Sequence, residues 1–292
     1  MRKKILLFLL PIGALALFCV AVIQFNLRFM PFTLVNKLPD NTATNTALRQ
    51  RLNQIYDTNF IFDTKSTVTS KIYLPRYMAT DSETAALYGA LFDFPEPYES
   101  TEDYYVFGND KKDKRLYVDQ FFGHILYENS TAKTNIKETA AAIQTNKDAI
   151  AAASRFIQSY HVEVPHQDVA VRFDGQSYTV QYIDTLDNYP NYAFPATIKL
   201  GKDGQISRFE QYAIEYDRID TITLKTMKEA YLELPLDIDP GVRVDLKSCR
   251  VVYIFEDSVV QPAFLFEGEM TGDNIGETTF QCFVKAAKFG AK

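Results

Sequence analysis

The pattern of apolar and polar positions divides the chain in two. From Ile5 to Leu27 runs an uninterrupted uncharged stretch of 23 residues, mostly Leu, Ile, Phe, Val and Ala. Arg2, Lys3 and Lys4 precede it and Arg28 closes it. A membrane-crossing helix needs about 20 such residues. The remainder shows shorter patterns that switch between helical and strand periods. Ala47 to Tyr56 places Leu48, Leu52, Ile55 and Tyr56 on one helical face. Asp81 caps a second helix carrying Thr84, Ala85, Leu87, Tyr88 and Leu91, which Pro95 and Pro97 end. Lys147 to Tyr160 is a third, with Ile150, Ala153, Phe156, Ile157 and Tyr160 inward. A shorter one is expected over Leu224 to Leu234, with Thr223 as cap and Pro235 as stop.

Between these helices lie strand-like runs: Phe60–Phe62, Lys71–Leu74, Tyr104–Phe107, Leu116–Asp119, Ile125–Glu128, Val169–Phe173, Tyr178–Ile183, Ala196–Leu200 and Ile206–Tyr212. Val242–Leu246, Cys249–Phe255, Pro262–Phe266 and Thr279–Val284 follow. Asp174-Gly175 is a strong hairpin signal. Pro190 and Pro195 predict a loop between two of the runs. A helix followed by several antiparallel strands thus recurs, which predicts an α+β fold. The expected organisation is a cytoplasmic tip and anchor over 1–30, a stalk over 31–46, an α+β domain over 47–135 and a second over 136–292. The Ala-, Thr- and Asn-rich stretch from Asn129 to Thr145 marks the boundary.

Charge orients the anchor. The basic cluster precedes the apolar run and no comparable cluster follows it, which keeps the amino terminus in the cytoplasm and the body outside. Two alternatives are a cleaved signal peptide and lipid modification at Cys19. The apolar stretch is long for a signal peptide, and the bulky Phe18 precedes Cys19. The whole chain carries a formal charge of −6, and removing the four cations before Met30 leaves −10 for the rest. Such a body is unsuited to nucleic acid. Trp is absent, while Tyr and Phe number 18 and 22, which suits sheets with aromatic cross-strand pairs. Beyond the anchor only Cys249 and Cys282 remain, in separate strand-like runs. An exterior disulfide and two buried thiols are both compatible with them.

Two segments echo one another. Val118-Asp119-Gln120-Phe121-Phe122-Gly123-His124-Ile125 leads to Tyr127-Glu128. Leu200-Gly201-Lys202-Asp203-Gly204-Gln205-Ile206 leads to Phe209-Glu210. Both place Gly two residues before Ile at a hairpin, with an aromatic-Glu pair soon after. The reading is a repeated unit in which a helix covers one face of an antiparallel sheet.

No catalytic residue, cofactor site or metal site is expected. His161 and His166 straddle Pro165, which removes helical ligand spacing. His124, beside Gly123, reads as exposed. Gly-x-Ser-x-Gly, Ser-x-x-Lys, Gly-x-Gly-x-x-Gly and Walker patterns are all missing. Glu128, Glu210, Asp184, Asp187 and Glu215 lie at strand ends or edges, where a glycosidase carboxylate pair could be placed; solubilising charge is the simpler reading. Glu267, Glu269 and Asp273 do not match a calcium-loop spacing. Alternating runs such as Tyr178–Tyr182 and Tyr212–Tyr216 give one packed and one wet face. Some of these aromatics are expected to form a protein contact surface.

Several of these stretches carry a resemblance. Lys71-Ile72-Tyr73-Leu74-Pro75, the Val118 to Glu128 hairpin, and Asp203-Gly204-Gln205-Ile206 with Phe209 resemble the PepSY-like units of Firmicute membrane-anchored regulators. In architecture the chain looks like the YycI/YycH accessory proteins of a cell-wall sensor kinase. The Leu224–Leu234 helix, Val251-Val252-Tyr253, and Val260-Gln261-Pro262-Ala263-Phe264-Leu265-Phe266 resemble that family's C-terminal unit. The resemblance implies a non-enzymatic regulator with one span and an extracellular body. It implies contacts with a membrane sensor histidine kinase or a homologous accessory regulator, and with the lipid bilayer through residues 5–27. An extracellular cell-envelope hydrolase using paired carboxylates, and a PepSY-type ligand-binding or inhibitory module, are the alternatives.

Overall fold

The computed structural model describes residues 42–62, 68–94, 96–109, 111, 113–132, 143–239, 241–272 and 278–287. They fall within one compact unit, Asn41–Lys288. The expected spanning helix over 5–27 lies outside the described residues, and among these no helix is long and apolar enough to cross a membrane. The fold is α+β, mostly sheet with few helices.

Two units of similar build form the larger part. In the first, α2 (Ser82–Leu91) is followed by β3 (Glu99–Ser100), β4 (Tyr104–Gly108), β5 (Lys114–Asp119) and β6 (His124–Asn129). In the second, α3 (Asn146–Ser159) is followed by β7 (Asp168–Phe173), β8 (Ser177–Leu186), β9 (Tyr189–Gly201) and β10 (Ile206–Tyr212). All neighbours within each unit pair antiparallel. The units join through their last strands, β6 against β10. The boundary expected between 135 and 136 falls in residues 133–142, outside the described ones, and this pairing crosses it.

The register of that join bears on the repeat. Tyr127 lies directly opposite Phe209, with Glu128 opposite Arg208 and Leu126 opposite Glu210. A local two-fold axis through the Tyr127–Phe209 pair therefore exchanges the two aromatic-Glu segments. Gly123 precedes Tyr127 by four residues, whereas Gly204 precedes Phe209 by five. The difference is Ser207, which the register shift between Ile206 and Arg208 leaves as an extra residue in β10.

One core serves both units. Ala149, Ala152, Ala153 and Phe156 make the buried stripe of α3, and Ala85 and Gly89 that of α2. Small residues let both helices approach the sheet closely. Around the axis Phe92 stacks on Tyr127 at 5.3 Å, and Phe156 lies 5.4 Å from Tyr127 and 5.8 Å from Phe209. Asp81 caps α2 and Thr145 caps α3 with a reciprocal Asp148 box.

The remaining elements make two further ladders. β2 (Thr69–Tyr77) pairs with β11 (Ile214–Thr223). β12 (Arg243–Glu256), β13 (Val259–Thr271) and β14 (Thr278–Lys285) form an antiparallel set, with β1 (Tyr56–Thr58) parallel to β12. α1 (Thr42–Ile55) and α4 (Met227–Tyr231) contribute Leu52, Ala230 and Tyr231 to its core. Among the described residues, single pairs connect these ladders: Tyr253 with Asn191, Val260 with Tyr73, and Leu224 with Ala287 just past β11 and β14.

Several expectations are corrected. α1 begins at Thr42, inside the expected stalk. Phe60–Phe62 is no strand; the strand is Tyr56–Thr58 before it. The loop expected around Pro190 and Pro195 is part of β9, because Pro195 falls in an irregularity between the Ala196–Tyr182 and Asn191–Asp184 pairs, where no ladder N–H is needed. The last helix is shorter than expected and Thr226, not Thr223, caps it through a box with Glu229. Leu224 instead bridges Ala287. Of the two readings open for Cys249 and Cys282, the structure shows free thiols, with no disulfide between them. Both oppose Phe266, from β12 and β14 on either side of β13. Two strand spacings put their backbones about 10 Å apart, beyond disulfide reach.

Candidate functional site

An aromatic ledge crosses the three ladders. It starts at the β5–β6 turn, where Phe121 and Phe122 are 55% and 54% exposed. Gly123 makes this turn possible, since its φ is +57°. A Cβ there would stand 2.7 Å from the carbonyl oxygens of both Met78 and Ala213. Phe122 meets the Tyr77 ring edge-on at 5.4 Å, and Tyr77 meets Phe194 at 6.0 Å. Phe194 in turn contacts Phe255 at 4.9 Å and Tyr212 at 5.6 Å. Phe255 is 41% exposed. Contiguous exposed apolar surface marks contact sites on soluble domains.

Beside the ledge lies an ionic cluster on β6 and β10. The His124 ring stacks on Tyr212 at 4.4 Å, and its Nε2 is 3.1 Å from Glu210 Oε1. Tyr212 donates its hydroxyl to the same oxygen at 3.2 Å, and Arg208 Nη2 reaches Oε2 at 3.2 Å. The His124 bond, with the Arg208 charge, outweighs burial and pulls the Glu210 carboxyl down to about 2. Burial and the Glu210 charge push Tyr212 up to about 12. His124 is thus a partnered residue, 16% exposed at its side chain, and not the exposed histidine expected.

A polar cleft of about 390 Å³ opens between the β8–β9 turn and the β2–β11 ladder. Thr69, Ser70, Lys71, Arg218 and Thr221 line it, together with the β8–β9 turn residues Asp187 and Asn188. Both turn residues have positive φ, +51° and +67°, as a type I′ hairpin requires. The Asp187 carboxylate accepts from Lys71 at 2.7 Å, Tyr73 at 2.5 Å and Tyr253 at 3.3 Å. Burial raises its pKa, but these three donors outweigh burial and hold it below the usual range. Ser70 Oγ lies 2.9 Å from the Tyr253 hydroxyl and extends the network inward. With both oxygens engaged, Asp187 ties the β8–β9 hairpin to β2 and β12.

The other carboxylates named from the sequence are scattered among cations. Glu128 lies 3.8 Å from Arg208, the cation that also holds Glu210. Glu215 pairs with Arg76, and Asp184 is exposed. Glu267 and Glu269 pair with Arg250 and Lys247, while Asp273 lies outside the described residues. His161 is exposed, and His166 bonds the Val164 carbonyl and meets the Tyr182 ring edge-on. Among the described residues no group of three or more His, Cys, Asp or Glu is arranged to hold a metal. The sequence predicts an aromatic contact surface without singling out Phe121, Phe122, Tyr77, Phe194 or Phe255. One signal was available: two phenylalanines immediately before a turn glycine, where turn chemistry favours polar residues.

No protein-family model matches the chain, and no curated protein matches it. Among solved structures it is similar to a protein from Eubacterium rectale, with 10% identity and a TM-score of 0.47 over 80% of this chain and 88% of that one. It is also similar to the YpeB C-terminal domain of Bacillus megaterium, with 14% identity and a TM-score of 0.37 over 85% and 93%. Both TM-scores lie below 0.5, so neither likeness places the chain in a family.

Proposed function

We propose that this protein is a membrane-anchored, non-enzymatic accessory regulator. It binds a sensor histidine kinase or a sister regulator and tunes cell-wall-related two-component signalling. The observation that carries the reading is the aromatic ledge from Phe122 through the partly buried Tyr77 and Phe194 to Phe255, whose two ends leave large apolar side chains in water on a folded body. Two further features support it. The uncharged run over residues 5–27 is long enough for one span, and the basic residues before it favour an extracellular body. The pair of helix-plus-four-strand units agrees with the PepSY-like units of membrane-anchored regulators.

The test is recovery of the full-length protein from membranes in mild detergent. Co-recovery of a sensor kinase or a sister regulator is the expected result, with loss of recovery when Tyr77 and Phe194 are both replaced by Ser. Absence of both partners under those conditions would overturn the reading.

A further inference from the structure

The ledge ends in a turn that is held far more firmly than a surface turn needs to be. Asp119 is 3% exposed, and its Oδ1 accepts from the backbone N–H groups of Phe121 at 2.7 Å and Phe122 at 2.6 Å. Gln120 N donates to the Asp103 carbonyl at 2.8 Å, and Gln120 O accepts from Thr80 N at 3.0 Å. The Gln120 side chain donates to the Thr101 carbonyl at 2.8 Å. Gly123 O accepts from Ala213 N at 2.9 Å, and Ala213 O accepts from Met78 N at 3.1 Å. The turn is therefore tied to the β3–β4 connection, to the end of β2 and to the junction of β10 with β11. What it presents is two adjacent, half-exposed phenylalanines. Phe122 gains the Tyr77 ring contact, but fixing the exposed halves of both rings outward in water has no stabilising return in the isolated chain. It does lower the ordering cost when they enter a pocket.

The surrounding charge selects the occupant. From Tyr77 to Asn109 the chain has no Lys, Arg or His, and it carries Asp81, Glu83, Asp93, Glu96, Glu99, Glu102 and Asp103. This segment supplies Met78, Thr80, Thr101 and Asp103, the residues that hold the turn. Of the cations that flank it, Arg76 pairs with Glu215 and Asp217 and His124 with Glu210, while Lys114 and Arg115 begin β5, at the opposite end of that strand from the turn. An anionic lipid surface is repelled by such a flank within a Debye length. A second copy related by two-fold symmetry would set one acidic flank against another.

Resting on the proposed binding role, the geometry points to the Phe121–Phe122 turn as the anchor of that interaction. Its occupant is an apolar pocket on a partner protein, rimmed by Lys and Arg. Phe121 and Phe122 fill the pocket, and Glu102 and Asp103 face its basic rim.

The test uses the full-length protein in its own membrane, with p-benzoylphenylalanine at position 121 or, separately, at position 255. Crosslinking from 121 is expected to map to a protein segment with more Lys and Arg than Asp and Glu. The yield is expected to fall at least ten-fold in the Phe122→Ser background and in the Glu102→Lys, Asp103→Lys background. Both sets of changes lie on the surface, and unchanged thermal melting confirms that the fold survives them. Adducts to lipid, to a second copy of this chain or to an acidic segment overturn the inference, as does a yield indifferent to charge reversal. Adducts from 255 alone overturn the turn as anchor and leave the binding role standing. Adducts from neither position overturn both.

Discussion

Gly123 shows how much a single residue can be asked to do. Its φ of +57° is strained for any residue with a Cβ, and that Cβ would press on two carbonyl oxygens at 2.7 Å. Gly123→Ala should cost about 2–3 kcal/mol, strain and crowding together, seen as a lowered midpoint in urea unfolding. Glu210 makes a different prediction. Its carboxyl titrates at about 2 in the folded protein, well below an unfolded glutamate. Its contribution is therefore full above the ordinary glutamate range and is lost as pH falls through that range toward 2. Partial exposure limits it to about 1–2 kcal/mol. Glu210→Gln should flatten the fall in stability between pH 5 and 2 by that amount in thermal unfolding against pH. The thiols are a third case. Burial pushes Cys249 up to about 12 and also raises Cys282. At pH 8 iodoacetamide should label both slowly in the folded protein and readily in denaturant, which peptide mapping resolves.

Secondary elements were legible wherever local chemistry decides. Asp81 capping α2, the period of α3 and the Asp174-Gly175 hairpin depend on neighbours within a few residues. Where distant partners decide, the local signal misleads. Thr223 looks like a cap, yet it ends β11 opposite Thr69, and the capping box belongs to Thr226 and Glu229. Pro190 and Pro195 signal a loop, yet β8 lends β9 a partner with a gap where Pro195 falls. Most of β11 was missed, since its exposed, charged residues carry no clear apolar alternation. Thr226→Ala removes a bond to the Glu229 N–H and should cost about 1 kcal/mol. Thr223→Ala should be close to neutral. Comparing the two urea midpoints distinguishes the expected cap from the observed one.

Across the whole molecule, what was legible was the repeat, and what was hidden was how the parts join. The Tyr127-Glu128 and Phe209-Glu210 echo is visible in the sequence, but its pairing across a two-fold axis is set by contacts some eighty residues apart. The candidate ledge was hidden for the same reason, because Tyr77, Phe194 and Phe255 come from separate ladders. Those ladders share few backbone pairs, so side chains must hold them together. Asp187 is the residue best placed to do so, since its donors come from β2 and β12 while it belongs to the β8–β9 turn. Asp187→Ala leaves the Tyr73 hydroxyl short of an acceptor and Lys71 without its counterion, leaves Tyr253 with Ser70 alone, and also puts Ala at positive φ. Asp187→Asn keeps the turn propensity and one acceptor oxygen, and so isolates the lost charge. The Asn variant should lose about 1–3 kcal/mol, and the Ala variant more. The location of the loss is the sharper test. If Asp187 is the tie, hydrogen exchange should quicken in β2 and β11 before it changes in the β6–β10 join, where Tyr127 and Phe209 are buried against both helices. Uniform loss of protection would mean that the three ladders unfold as one unit and that the tyrosine cluster, not the carboxylate, couples them.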